Sequence, residues 1–270
     1  MTQRRQRPRI AASSYLNTAP LIWSFIHGSR RGTVELLTDK APARCADMLA
    51  SGEVDAALVP VIEYQRLSDL LLVPDVCVGS RSGVRSVVLA TKLNNLKKVR
   101  RVALDDSSRT SAVLLKILFG KFLGFEPEWI TSPPDLKSML RRADAALIIG
   151  DPAMTIPRDQ FRVFDLATLW HEFTGLGFVF AMWMVRADRT NRMHGINFAA
   201  ARDEALNDLD RIVTDYRNEL TLSKEDMKRY LTENIVFRLD GEMEKGLKLY
   251  YDLALKQRLI EVQNSFEFVA

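Results

Sequence analysis

Arg9-Ile10-Ala11-Ala12-Ser13-Ser14-Tyr15-Leu16-Asn17-Thr18-Ala19-Pro20 reads as a short apolar strand that ends in a polar loop and then enters a helix. A strand ending this way gathers hydroxyls, an amide side chain and the unpaired N–H groups of a helix start around one point, which suits a small anionic ligand. Serine, asparagine and threonine before a helix are also ordinary N-caps, so this loop alone admits both readings. Three more such loops lie downstream, and the recurrence favours a ligand site.

Outward from this loop, strands and helices alternate in the manner of an α/β fold. The strand at residues 9–12 leads to a helix near 20–26, a strand at 34–37 and a helix at 43–51 that Gly52 ends. Val54-Asp55-Ala56-Ala57-Leu58-Val59-Pro60 has the length and apolarity of a strand buried on both faces. These elements make half of a doubly wound sheet. After another strand at 86–90 the pattern restarts, with a strand at 99–104, helices at 111–122 and 136–142 and a strand at 145–149. The restart predicts a second domain.

Phe178-Val179-Phe180-Ala181-Met182-Trp183-Met184-Val185 is a strongly apolar strand, after which the chain turns helical. One long amphipathic helix is expected over 198–220. A second starts at Ser223, with Asp226 in a capping-box variant, and a last one follows Asp240. Met243, Leu247, Tyr250 and Ala254 recur every three to four residues on that last helix, a spacing of core packing. These helices read as scaffold.

The second polar loop, Asp105-Asp106-Ser107-Ser108-Arg109-Thr110-Ser111, lies between the strand at 99–104 and the following helix. Four hydroxyls and an arginine face a helix start, where a carboxylate gains about 0.3–1 kcal/mol from the dipole and free N–H groups. A cap at Asp106 or Ser107 would use only one such side chain. The third loop is Gly150-Asp151-Pro152-Ala153-Met154, where glycine lets a ligand approach the backbone and Asp151 either caps the next helix or touches ligand. In the fourth, Thr174-Gly175-Leu176-Gly177-Phe178, Gly175 stops a helix and Phe178 is either a wall for a planar ring or a core aromatic.

At 270 residues, 47% hydrophobic and 27% charged, the composition is that of an ordinary globular protein with one large or two modest cores. The formal net charge is +4, and Arg4, Arg5, Arg7 and Arg9 near the start account for all of it. Nucleic acid is therefore not expected as a partner. No run of about 18 apolar residues is present, so no membrane span is expected. No signal-peptide pattern follows the basic tail, which places the protein in the cytoplasm. Cys45 and Cys77 lack a zinc spacing and read as reduced packing thiols.

Together the loops resemble the menaquinone-biosynthesis family of the futalosine route, which has a type II periplasmic-binding-protein fold. The matching residues are Ser14-Tyr15-Leu16-Asn17-Thr18-Ala19-Pro20-Leu21, Cys45-Ala46, and the stretch from Gly52-Glu53-Val54 to Val61-Ile62-Glu63-Tyr64. Ser86-Val87, Thr110-Ser111, Ile149-Gly150-Asp151-Pro152-Ala153, Asp165-Leu166, Trp170 and Thr174-Gly175-Leu176 continue the match. Gly177 departs from it, standing where the family is expected to carry proline before Phe178.

The resemblance implies a two-lobed fold with two crossing strands, 86–90 and 178–185, and with the C-terminal helices packed on lobe one. Lobe one would comprise residues 1–88 and 186–270, lobe two residues 89–185, with the ligand cleft between them. It is most similar to the branch that eliminates water from chorismate to give 3-[(1-carboxyvinyl)oxy]benzoate, with chorismate as the partner and no metal or organic cofactor. Oligomeric state is not encoded in these motifs.

On that resemblance Asn17 and Ser86 are the catalytic candidates, orienting the ring and the leaving hydroxyl. Ser14, Thr18, Ser107, Arg109, Thr110, Ser111, Gly150, Asp151 and Phe178 are the substrate-binding candidates, Arg109 being equally readable as a surface arginine. The loops contain no histidine, and serine, threonine and asparagine are not bases at neutral pH. The base is then Asp151, Glu63 or, favoured here, the substrate's own enolpyruvyl carboxylate.

Three alternatives compete. A solute-binding protein for small anions would carry an export signal or lipid-anchor cysteine. A regulator's effector domain would follow a DNA-binding helix-turn-helix. The dihydroxynaphthoate synthase of the same pathway shares the fold, and the loop at 14–20 favours the dehydrating branch over it.

Overall fold

The computed structural model describes residues 7 to 269, so Arg4 and Arg5 of the basic tail lie outside the described residues. Strands β1 (Arg9–Ser13), β2 (Glu35–Asp39), β3 (Ala56–Pro60), β4 (Leu70–Ser80) and β10 (Phe178–Arg186) form one sheet in the order β2-β1-β3-β10-β4. Strands β5 (Val87–Thr91), β6 (Arg101–Asp105), β7 (Glu128–Ser132), β8 (Ala145–Ile149) and β9 (Arg162–Asp165) form a second in the order β7-β6-β8-β5-β9.

The two sheets repeat one plan. In the first, β1 runs parallel to β2 and β3 while β10 is antiparallel to β3 and β4. In the second, β6 runs parallel to β7 and β8 while β5 is antiparallel to β8 and β9. The antiparallel strand in each case is the one by which the chain enters that sheet from the other. β3 and β8, the apolar runs singled out in the sequence, are buried at every residue because strands and helices cover both of their faces. The chain changes sheet in residues 81–86 and again in 175–177, just ahead of β5 and β10.

Between the strands lie helices α1 (Ala19–Ile26), α2 (Pro42–Ala50), α3 (Thr110–Ile117), α4 (Leu136–Arg142), α5 (Asp151–Met154) and α6 (Leu166–Thr174). After β10 come α7 (Thr190–Met193), α8 (Phe198–Leu206), α9 (Leu209–Tyr216), α10 (Lys224–Arg229) and α11 (Gly241–Lys256). The expected long helix at 198–220 is two helices. Asn207 and Asp208 interrupt it, and the Asp208 carboxylate accepts the indole N–H of Trp23 at 3.2 Å instead of facing solvent along a continuous helix. The cap at Ser223 forms as read, its hydroxyl oxygen accepting the Asp226 N–H at 3.0 Å. Asp240 caps α11 through the N–H groups of Glu242 and Met243.

Three strands, β4, β7 and β9, stand beyond those expected from the sequence. β4 carries Pro74 and Asp75 in its middle, both exposed, and Asp75 has φ 60°. Proline is tolerated there because β4 is an edge strand, and its pairing with β10 shifts register nearby. β7 and β9 are short, half-exposed edges without the apolar run of a central strand.

Helix α11 packs on β10 and also on α3, touching both halves of the molecule where packing on one was expected. Glycines allow the approach. A Cβ at Gly246 would fall 2.1 Å from the carbonyl oxygen of Gly177, and one at Gly177 would fall 2.5 Å from the Met243 sulfur. Gly177, the departure from the family pattern, thus sits where the helix leaves no room for a side chain. Its carbonyl also accepts the Trp170 indole N–H at 3.1 Å.

Candidate functional site

The first and second polar loops, far apart in sequence, meet at the ends of β1 and β6 and enclose a cleft of about 530 Å³, mouth included. Its polar lining comes from both halves, with Ser13, Tyr15, Asn17 and Thr18 from the first and Ser107, Ser108, Arg109, Thr110, Ser111 and Gly150 from the second. The rest is apolar, formed by Pro42, Leu58, Pro60, Val78, Val87, Ile149, Phe180 and Ala181. No carboxylate or imidazole is among these lining residues, and His27, His171 and His194 are all exposed.

Two polar atoms at the cleft are buried without a partner, Oδ1 of Asn17 and Oγ of Ser108. Leaving such atoms unpaired costs about 1–3 kcal/mol each, a cost that a polar ligand in the cleft would remove. Ser108, in the second polar loop, stands at the cleft beside the binding residues expected from the sequence. Its hydroxyl is free because α3 starts without a side-chain cap, Arg109 occupying the cap position and Asp106 standing exposed. The first-turn N–H groups of α3 therefore point at the cleft together with the hydroxyls of Thr110 and Ser111.

Tyr15, in the first polar loop, also lines the cleft. Its ring lies flat against Gly150, where a built Cβ would come within 2.4–2.6 Å of ring carbons. Gly150 has φ 70° and ψ −156°, a conformation that only glycine adopts without strain. Burial, then the charge of Asp105, pushes the Tyr15 phenol up to about 12, so it stays a neutral hydrogen-bond donor at ordinary pH.

Several chosen residues serve the loops themselves. Thr18 donates its hydroxyl to the carbonyls of Ser13 and Tyr15, pinning the first loop. Ser107 donates both its N–H, at 2.9 Å, and its hydroxyl, at 2.6 Å, to the buried carboxylate of Asp105. Thr110 Oγ1 accepts the Ile62 N–H at 3.2 Å and still has a proton to donate. Arg109 lines the cleft but is no free cation, since its guanidinium pairs with Glu63 at 3.0 Å and with Asp47. Those pairs join the two halves, because Arg109 precedes α3 while Asp47 and Glu63 lie beside β3.

Four residues expected at the ligand lie away from the cleft surface. Ser14 faces away from the cleft, with its carbonyl accepting the Tyr216 hydroxyl at 3.1 Å on the outer side of the loop. Asp151 is also outside, where its carboxylate accepts the Leu16 N–H at 3.1 and 3.3 Å and so caps the helical turn at Leu16–Thr18. Phe178 is buried in the core between Trp170 and Tyr250, and the ring that reaches the cleft is Phe180, two residues further along the same strand face. Ser86 is fully buried behind the cleft wall, its hydroxyl oxygen accepting the Tyr230 hydroxyl at 2.7 Å while Val87 does the lining.

Burial pushes the Asp151 carboxyl up to about 6, with the charge of Glu219 adding to the rise and the Leu16 N–H opposing it. A raised carboxyl means the native fold favours the protonated group. Its contribution to stability is full below the ordinary value of 3.8 and is lost as pH rises through about 6. Asp151→Asn keeps an acceptor for Leu16 without the buried charge. It is expected to raise stability at pH 7.5 by on the order of 2 kcal/mol and to change little at pH 4. Thermal melts of both proteins at the two pH values check this, and equal melting at pH 7.5 would contradict it.

Among the described residues, no cluster of three or more His, Cys, Asp or Glu side chains is arranged to hold a metal ion, and no helix is long and apolar enough to cross a membrane. Burial pushes the Cys45 thiol up to about 12, which removes it as a nucleophile at neutral pH.

This cleft can be set beside known proteins. The chain is 31% identical over 255 residues to the chorismate dehydratase of Thermus thermophilus, covering 87% of this chain and 91% of that protein. It superposes on a protein of Archaeoglobus fulgidus with a TM-score of 0.77 at 19% identity, over 96% of this chain and 100% of the other. A Candida albicans protein described as having the generic periplasmic-binding-protein fold superposes with a TM-score of 0.67 at 15% identity, over 98% of each chain. The two sheets of like plan with a cleft between them are therefore a periplasmic-binding-protein fold. The family model described as menaquinone biosynthesis matches residues 8–256, which takes in both loops that build the cleft, and the chain belongs to that family.

Proposed function

We propose that this protein is a chorismate dehydratase, a hydro-lyase that supplies 3-[(1-carboxyvinyl)oxy]benzoate to the futalosine route of menaquinone synthesis. The observation that carries the reading is the cleft itself, with an unpaired buried hydroxyl at Ser108, an unpaired buried acceptor at Asn17, an uncapped helix start and an apolar wall. A dicarboxylate on a flat carbon ring that also bears a hydroxyl matches all four, since its carboxylates accept from Ser108 and the helix N–H groups and its hydroxyl donates to Asn17 Oδ1. Its relative from Thermus thermophilus supports the choice within the family.

Chorismate loses a proton from ring C3 and hydroxide from C4, leaving as water, and the ring becomes aromatic. The ring carboxylate acidifies C3 through the conjugated double bonds. What the site must supply is a base near C3, donors for two carboxylates and a hold on the C4 hydroxyl. Ser108, Thr110, Ser111 and the N–H groups of α3 are placed to hold one carboxylate. Asn17, across the cleft, takes the hydroxyl side of the ring. The base is the substrate's own enolpyruvyl carboxylate, since Asp151 lies outside the cleft and Glu63 is paired with Arg66 and Arg109.

Within this reading, residues 1–88 and 186–270 form one lobe and 89–185 the other, and the substrate sits between them. A cytoplasmic setting accords with the two buried free thiols, Cys45 and Cys77. Purified protein mixed with chorismate alone should produce an aromatic benzoate, seen by ultraviolet absorbance and by a mass lower by one water. Prior dialysis against a chelator should leave the rate unchanged. Absence of that product, or a rate abolished by chelation and restored by one metal, would overturn the reading.

A further inference from the structure

Asp151 stands outside the cleft, yet it holds the turn that brings Asn17 there. Leu16, Asn17 and Thr18 form one helical turn just after β1, and Asn17 lines the cleft from its middle. Leu16 is fully buried and its N–H opens the turn, so no carbonyl within the turn can take that proton. Its partner is the Asp151 carboxylate, which accepts it at both oxygens, at 3.1 and 3.3 Å. Asp151 follows β8 in the second half of the molecule, 135 positions along the chain.

Other bonds of this loop act differently. Thr18 donates to the Ser13 and Tyr15 carbonyls and so sets the internal shape of the loop, while the Tyr216 hydroxyl ties the Ser14 carbonyl to α9. Two contacts reach the second half, the Leu16 N–H on Asp151 and the Tyr15 ring against Gly150. They join consecutive residues on each side and dock 15–16 on 150–151. The second half also carries Ser108, Thr110, Ser111 and the free N–H groups of α3. The Asp151 bond therefore fixes Asn17 relative to the groups placed to hold a carboxylate, and not merely relative to its own loop.

We propose that Asp151 is a positioning residue for the dehydration, holding from the second half of the molecule the turn that carries Asn17. This rests on the dehydratase reading. A substrate held by one carboxylate on the second half presents its C4 hydroxyl to Asn17 on the first, so the register between the halves sets the distance at the reacting centre. For this role Asp151 needs only an acceptor atom. It exchanges no proton with the substrate, since it lines the outer pocket and not the cleft. A side-chain amide at this position can do the same work.

The test compares Asp151→Ala, Asp151→Leu, Asp151→Asn and Glu219→Gln. Alanine and leucine remove the acceptor, leucine while filling the space, and asparagine keeps it. Glu219 is exposed and lines the same outer pocket, so it serves as the control. Asp151→Ala and Asp151→Leu are expected to lower kcat roughly 10- to 100-fold, as displacement of an aligned group does, with KM changed by less than about threefold because the carboxylate-holding groups stay in place. Asp151→Asn should recover kcat to within about threefold of the parent, and Glu219→Gln to within about twofold. The two variants without an acceptor lose a hydrogen bond but also a carboxylate that burial disfavours, so their melting should stay close to that of the parent. Equal losses in Asp151→Asn and Asp151→Ala, as for a base, or normal kcat in both variants without an acceptor, would overturn the proposal.

A readout without substrate separates this from the dehydratase reading. The Leu16 amide proton should exchange slowly with deuterated water in the parent and in Asp151→Asn, and at least about tenfold faster in Asp151→Ala, where the turn loses its anchor. If the parent does not turn over chorismate but Leu16 exchange responds in this way, the dehydratase reading fails, and with it the effect on rate, while the contact between the halves stands. Unchanged Leu16 exchange in Asp151→Ala refutes the contact itself and the proposal built on it.

Discussion

Asn17→Ala should lower kcat by roughly 100-fold or more while leaving the melting temperature within a few degrees of the parent. The side chain is half-buried, reaches the cleft and has an unpaired oxygen, so removing it deletes no packing that the loop depends on. The loop is held by other bonds: Thr18 to the Ser13 and Tyr15 carbonyls, Asp151 to the Leu16 N–H and Tyr216 to the Ser14 carbonyl. Alanine also relieves a buried acceptor of its desolvation cost, which works for stability and not against it. Rate and stability should therefore part company. Steady-state turnover of chorismate and a thermal melt on the same preparation check this. A variant with near-normal kcat would remove Asn17 from the chemistry, and a variant that loses rate only because it unfolds would show that the loop needs it.

The other large effect is expected at Gly150. Its φ of 70° with ψ of −156° is a region closed to residues with a Cβ, at a cost of about 1–3 kcal/mol. Any side chain would also meet the Tyr15 ring at 2.4–2.6 Å. Gly150→Ala should lower the melting temperature by roughly 4–10 °C and depress turnover, because the ring it displaces forms part of the cleft wall. Adding Tyr15→Ala should return part of the lost stability, since it removes the collision and leaves only the backbone strain. Equal stability of Gly150→Ala and the parent would show that the backbone at this position relaxes, and no recovery in the double variant would show that the ring contact is not the cause.

The C-terminal helix bears on both results. Tyr250 on α11 donates to the Thr110 carbonyl at 3.0 Å, and Arg109 pairs with Asp47 and Glu63 across the cleft. The two halves are thus tied at the mouth of the cleft and behind it. Arg109, which the sequence allows as a partner for a substrate carboxylate, is instead satisfied by the protein.

The features legible in the amino-acid sequence are local ones. The strand and helix alternation, the apolar runs of β3, β8 and β10, the caps at Ser223 and Asp240 and the stop at Gly175 all depend on residues a few positions apart, and each is found in the structure. The two loops that make the cleft were legible for the same reason, since each is a strand end followed by a helix start. The partners of those loops were not. Tyr230 and Ser86 are 144 positions apart, and Leu16 and Asp151 are 135 apart, so only folding reveals that one pair lies behind the cleft and the other outside it. Phe178 and Phe180 show the same limit at short range. Both lie on one face of β10, and which ring reaches the cleft depends on where Trp170 and Tyr250 pack against that face. Side-chain type and spacing reach as far as one hydrogen-bonded turn or one pleat, whereas the direction of a buried hydroxyl is decided by whichever distant groups the closed core brings to it.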